Sequence, residues 1–498
     1  MKIVKTYYEK SPLTVIVLVG FLVRLIAVVF SKGYGMHDDH FLVIEAGQSI
    51  AAGYDYNNWL PWNAGGQVSG HSWFYVGFHI LLFKFFQLVN VNDPQVKMLL
   101  IRFIHACYSL LVIILGYKIT LRLSNEKVAK EAGWILALLW FIPSLSVRNL
   151  VEWVCVPPLL ASSLALIKFD ETKNSKYAVW VGLFIGIAMG IRYQCLFFFV
   201  GVGLVFLIRK EFINGVICFA VFFTTFFITQ SADMFLWGLP FVELKEYVNY
   251  NFANSTSYFN RPSYQYIFTV GGMLIPPISL YLIAGYFKSW KKIFVLFLPS
   301  LCFFIFHSYF PNKQERFIMP FVPYLICGGI VGWAQIRERI KWKKFEAGSW
   351  KFFWIINILP LLFISTMYSK RSRVEAMYYL YNKPDYNNFI IESSHTDDAQ
   401  LLPQYYSGKW QKGYSIYSGF TVDSLKVALQ RNNNEQFPNY ILFFEDQDLQ
   451  KRTTNFQIKS GKNIELVYTA EPSFMDNLLH WLNKNNKNQP VFVYKVKS

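Results

Sequence analysis

The chain has 498 residues, 54% of them hydrophobic, 19% aromatic and only 16% charged, which is far from a soluble domain. Its net charge of +17 would suit a polyanion, but the basic residues collect in short clusters between apolar runs. Such clusters are orientation signals of a membrane protein, so nucleic acid is excluded as a partner.

The first apolar run, 13–30, is long enough to cross a bilayer as one helix. No small-residue cleavage site follows it, so it reads as a retained span rather than a signal peptide. Further apolar stretches at 98–121, 131–147, 152–168, 177–190, 193–208, 212–230, 265–287, 293–310, 317–336 and 352–367 bring the expected spans to about eleven. With the N-terminus inside, this count places the basic clusters (such as Lys118–Lys130, Lys168–Lys176 and Arg337–Lys344) in the cytoplasm. The expected fold is therefore an α-helical polytopic membrane domain over 1–367, with outer loops at 31–97 and 231–264. Segment 73–89 is read as a helix lying in the interface, since counting it as a span would invert the downstream charge bias.

Beyond residue 368 the apolar runs cease. Strand patterns at 440–444, 464–468 and 491–496, with helical patterns at 422–430 and 473–483, predict a small α/β domain over 368–498 on the outer face. All six cysteines lie in apolar runs and read as core residues, and no metal site is indicated.

The outer segments hold the reactive side chains. His37, Asp38, Asp39 and His40 follow the first span directly, which puts two carboxylates at a membrane surface. Either acid could deprotonate a hydroxyl, although on position alone a capping role for the helix over 41–51 leads. Arg24 and Arg102 lie in spans, where guanidinium groups brace helix ends more often than they catalyse. Arg148, Glu152, Arg192, Arg261, Lys313, Glu315 and Arg316 fall in outer turns. Cations gathered there suit an anionic lipid phosphate, because Arg gives bidentate hydrogen bonds and Lys a point charge. The stretch from Asp233 to Arg261, including Asn251, is rich in Tyr, Asn and Phe, as a sugar site or an interfacial belt would be.

Three sets of residues carry a resemblance to a known family. Met36-His37-Asp38-Asp39, Ile44-Glu45 and Gly53-Tyr54 follow the order of a first-loop motif of His-Pro-Asp-Glu, Leu-Glu and Gly-Tyr. Asp233, Trp237-Gly238 and Tyr250-Asn251 follow a second. His307-Ser308 and Asn312-Lys313-Gln314-Glu315-Arg316-Phe317, with Pro320 beyond, resemble a third, His-Lys-Glu-x-Arg-Phe. The chain thus resembles the GT-C glycosyltransferases, specifically the polyprenyl-phosphate-mannose-dependent mannosyltransferases of glycosyltransferase family 22. It departs from their pattern at Asn312 (for His), Gln314 (for Glu), Asp39 (for Glu) and His71 (for Arg). The match covers about residues 20–335, and the tail contributes nothing to it.

The resemblance implies inverting transfer of a sugar, with mannose expected, from a polyprenyl-phosphate donor to a hydroxyl of a glycolipid or glycan. The reaction would take place on the extracytoplasmic face of a bacterial plasma membrane and need no cofactor. Asp38, with Asp39 a close second, would take the hydroxyl proton. Lys313, Arg316, Arg192 and Arg261 would hold the donor phosphate, while Glu45, His37, Asn251 and Asp233 would bind sugar or acceptor. A flippase for lipid-linked sugars and an inactive glycan-binding scaffold are the rival readings.

Overall fold

A computed structural model describes residues 8–393, 401–417, 420–431, 436–484, 486–487 and 489–497. The chain divides into two compact units, one comprising residues 1–29, 58–78 and 101–366, the other 30–57, 79–100 and 367–498.

The first unit is a helical membrane domain. Among the described residues, six helices are long and apolar enough to cross a bilayer: Pro12–Phe30, Pro94–Leu123, Val151–Thr172, Phe212–Thr229, Glu315–Arg337 and Lys343–Ser365. A seventh span results if the pair Gln265–Met273 and Ile278–Lys288, bent by 119°, counts as one. That bend falls at Pro276 and Pro277, which lack the N–H a continuing helix needs. The stretches expected at 177–190, 193–208 and 293–310 are helices of 10–17 residues, as is Trp73–Leu88. The stretch expected at 131–147 is not one helix. It breaks after Glu126–Leu138 and resumes at Ile142–Leu145, with Pro143 in the new first turn.

Buried polar side chains secure that break. Asn357 donates to Leu138 O at 2.7 Å and accepts from Trp140 N–H at 2.8 Å, satisfying two backbone groups the broken helix cannot. Arg24, fully buried, donates to Ser109 Oγ at 2.9 Å and to Ala137 O at 3.2 Å at the same helix end. Arg102 Nε donates to Val28 O at 2.8 Å. Both span arginines thus brace helix ends.

Close helix approach rests on small residues. A Cβ added at Gly186 or Gly190 on Ser175–Ile191 would lie 2.8 Å from Thr225 Cβ or 2.6 Å from Thr229 Oγ1 of Phe212–Thr229. Glycines four residues apart let the two backbones pack where a larger residue would part them.

The second unit contains a five-stranded sheet of order β2-β1-β3-β5-β4, formed by β1 (Phe389–Glu392), β2 (Gly413–Ile416), β3 (Tyr440–Phe444), β4 (Ile464–Ala470) and β5 (Val491–Val496). β1 pairs in parallel with β2 and β3, whereas β5 runs antiparallel to β3 and β4. Every residue of β3 is buried, as a central strand covered on both faces requires. Ile390, Ile441 and Phe443 pack with Val422, Leu425, Leu429 and Phe456 of two helices to form the core. The three strands and two helices expected in the tail are all present, joined there by β1, β2 and the helices Arg371–Tyr381 and Leu449–Ser460.

Candidate functional site

In the membrane unit, three breaks in helical structure supply a buried ionic cluster. Glu152 lies in the short helix Val151–Val154, Arg192 at the extended residue ending Ser175–Ile191, and Arg316 in the 3-10 segment Glu315–Phe321. Glu152 Oε1 stands 3.2 Å from Arg192 Nη1 and 3.7 Å from Arg316 Nε. All three side chains are buried. Gln194 accepts from Arg192 Nε and Gln314 from Arg316 Nε, each at 3.0 Å, while both guanidinium groups lie over the Phe317 ring. Gln314 stands where the resembled motif has Glu, and the Glu152 carboxylate lies near both guanidinium groups.

The neighbouring loops pair through their backbones. Lys313 N–H donates to Phe259 O at 3.1 Å and Arg261 N–H to Pro311 O at 3.2 Å, bringing the Lys313 and Arg261 segments side by side. Lys313 is buried, with its ammonium on Phe310 O, and burial lowers its pKa; Arg261 is exposed. Among the described residues, the buried atoms Glu152 Oε2, Trp153 Nε1, His307 Nε2, Ser308 Oγ and Asn312 Oδ1 have no hydrogen-bond partner within the protein. Buried polar atoms normally find partners, so these five, three on or beside the segments bearing Glu152 and Arg316 and two on Phe294–Tyr309, stand out.

A second network organises the loop expected to hold sugar. Glu243, fully buried, accepts from Ser69 Oγ and Gly70 N–H at 2.7 Å, Trp237 Nε1 at 2.9 Å and Trp73 Nε1 at 3.1 Å. Asp233 Oδ2 accepts from the Glu243 N–H at 3.1 Å, and burial raises the Asp233 pKa to about 6. Asp233, expected at sugar or acceptor, is thus an interior group that fixes the start of Val242–Ala253. That helix carries Tyr247, whose hydroxyl meets the Gln194 amide and so reaches the Arg192 side of the cluster. Asn251 donates back to Tyr247 O at 2.8 Å. Glu243 was missed in the sequence because three of its four donors, on Ser69, Gly70 and Trp73, come from a distant segment that no local spacing announces.

In the second unit, one helical turn His37–Asp39 runs directly into a π-helix, His40–Glu45. Met36 is the N-cap and Asp39 makes no side-chain capping bond, so the capping alternative for the acid pair does not hold. His37 is exposed and stacks on Phe41, Asp38 is half-buried and Asp39 is buried. The π-turn aligns His40 with Glu45, Nε2 to Oε1 at 3.3 Å. His40 lies between the Tyr34 and Tyr406 rings, at 4.6 and 5.5 Å, and the Tyr405 N–H donates to Glu45 Oε1 at 3.1 Å. Burial pushes the Glu45 carboxyl well above the usual carboxylate range, against the Tyr405 hydrogen bond. Burial, with the Lys370 ammonium and His37, holds His40 well below its ordinary value. Glu45, expected to touch sugar or acceptor, is enclosed and supports the segment that carries Asp38 and Asp39. Among the described residues no three His, Cys, Asp or Glu side chains converge to hold a metal ion.

The sequence pattern of the Alg9-like mannosyltransferase family matches residues 15–397. No curated protein matches the chain by sequence. Among solved structures, ArnT from Cupriavidus metallidurans bound to undecaprenyl phosphate is similar, with TM-score 0.59, 10% identity and 97% of each chain covered. The Archaeoglobus fulgidus oligosaccharyltransferase AglB, in complex with an inhibitory peptide and a dolichol-phosphate, is similar at TM-score 0.50 and 11% identity. That match covers 91% of this chain and 71% of AglB. The fold is that of the GT-C glycosyltransferases.

Proposed function

Because the chain belongs to the Alg9-like mannosyltransferase family, we propose that it moves a mannosyl group from a polyprenyl-phosphate donor to a hydroxyl of a glycolipid or glycan at the extracytoplasmic face. The observation that carries this reading is the buried cluster of Arg192 and Arg316 around the carboxylate of Glu152. Buried guanidinium groups, each a planar fork of donors, are suited to a phosphate. Arg192 and Arg316, with Lys313 and Arg261, hold the donor phosphate. Asp38, or Asp39 beside it, takes the acceptor proton as the hydroxyl oxygen bonds to the sugar C1. The C1–O bond to phosphate breaks with inversion, and its electron pair leaves on the polyprenyl phosphate, whose added charge the cations stabilise. Exposed His37 and half-buried Asn251 are the groups of the expected set left to meet sugar or acceptor hydroxyls. The protein is a multi-pass membrane protein, and a bacterial plasma membrane with the outer loops facing the periplasm is the proposed setting.

The test is transfer of radiolabelled mannose from polyprenyl-phosphate-mannose to membrane glycolipids by purified wild type, Asp38→Asn and Arg316→Ala. Transfer by wild type alone supports donor, base and cation together. Transfer absent with mannose but present with another lipid-phosphate sugar would replace the donor and keep the chemistry.

A further inference from the structure

The helix Phe474–Leu482 starts at a capping box, with Ser473 Oγ accepting from Asp476 N–H at 3.1 Å and Asp476 reaching back to Ser473 N–H. The same buried carboxylate accepts the backbone N–H groups of Lys370 and Arg371, at 2.9 and 3.0 Å. The helix is thereby fastened to the stretch of chain that leaves the last apolar helix, Lys343–Ser365. A chain extends at most about 3.6 Å per residue, so the five steps from Ser365 to Lys370 reach no more than about 18 Å. The start of Phe474–Leu482 therefore stays close to the point where the chain leaves the bilayer.

The helix presents a face suited to that position. At 100° per residue, Phe474, Leu478, Trp481 and Leu482 share one side, with the buried Asp476 opposite. Phe474 and Trp481 are each 70% exposed and Leu482 65%, an apolar stripe left uncovered by the described residues. Arg371, at the tether, and Lys484, two residues past the helix, have exposed side chains. Large apolar residues also remain exposed on Lys343–Ser365 up to Leu362 and Phe363, so lipid-facing surface continues to within a few residues of the tether.

We propose that Phe474–Leu482 is a membrane-surface anchor lying in the plane of the phospholipid interface. Its stripe enters the headgroup and upper acyl region, Trp481 sits at the headgroup level, and Arg371 and Lys484 meet lipid phosphates. The anchor adds a membrane attachment for the helix Phe474–Leu482 to the covalent one after Ser365.

The full wild-type chain is reconstituted in nanodiscs of phosphatidylcholine and phosphatidylglycerol containing a lipid with a diazirine in its upper acyl chain. Photolysis and peptide mapping are expected to place adducts on 474–482 as well as on Lys343–Ser365. Adducts on the span but none on 474–482 would overturn the proposal. Nitroxide labels at Phe474→Cys and Trp481→Cys, with Asn455→Cys as an exposed control, are then read in a background lacking the native cysteines. Labels in lipid are accessible to oxygen and several-fold less accessible than the control to a water-soluble nickel chelate. Labels as nickel-accessible as the control, or shielded from both reagents by a second copy or another protein, would overturn it. If that background fails to fold, the wild-type mapping decides alone.

Discussion

His40 and Glu45 stand one π-turn apart, imidazole Nε2 to carboxyl Oε1 at 3.3 Å, both closed off from solvent. Their pKa shifts run in opposite senses, His40 down and Glu45 up. Burial thus favours the uncharged form of each.

The pH dependence follows. With its folded pKa below the ordinary value near 6.5, His40 stays unprotonated in the folded chain while the unfolded chain takes up a proton. The His40 contribution to stability is therefore lost as pH falls below about 6.5, while Glu45, shifted upward, acts in the opposite sense. The thermal midpoint of wild type is expected to drop from pH 7 to pH 5 more steeply than that of His40→Gln. Parallel curves would remove His40 from the account.

Glu152→Gln strips two buried guanidinium groups of their carboxylate. Removing one partner of a buried ion pair costs about 3–5 kcal/mol, so a clear fall in thermal midpoint is expected. Arg316→Lys keeps charge but loses the planar fork and its stacking on Phe317, and kcat is expected to fall about 100-fold or more, by analogy with loss of one preorganised donor. Calorimetry and single-turnover transfer assays separate the two effects.

For the acid pair, Asp38→Asn and Asp39→Asn are each assayed for transfer and for donor binding. Loss of a general base lowers kcat by about 10²–10⁴-fold with donor affinity nearly intact. The carboxyl whose amide variant shows that loss is the base. Near-normal turnover in both variants would leave neither.

Two glycines give opposite signs for one substitution. Gly203→Ala, where an added Cβ meets nothing within 4 Å, is expected to stabilise its helix by about 0.5–1 kcal/mol. Gly190→Ala drives a methyl to 2.6 Å from Thr229 Oγ1 and is expected to destabilise by about 1–3 kcal/mol. Unfolding midpoints of the two variants in detergent check the contrast.

Hydrophobic patterning made the helical membrane domain and the α/β tail legible, and basic residues beside acids in the outer segments pointed to Arg192, Arg316 and Lys313. The break at Leu139 escaped, because Trp140 and Phe141 continue the apolar run and the groups that complete the broken end, Asn357 and Arg24, lie far away in the chain. β1 and β2 escaped because each has four residues, too few for alternation to stand out. Glu45 and Asp233 resembled binding groups in sequence. Their interior roles depend on the Tyr405 and Glu243 N–H groups, and burial by remote elements leaves no local trace.

One carboxylate between two guanidinium groups also bears on how a catalytic cycle ends. On the proposed chemistry the incoming donor is a phosphodiester with a single negative charge. The spent carrier is a phosphomonoester, closer to two negative charges at neutral pH. On that chemistry Arg192 and Arg316 would grip the exhausted lipid harder than the fresh one. Egress of the carrier would then be opposed by the groups that draw in the donor, and accumulated polyprenyl phosphate is expected to inhibit the enzyme that produced it.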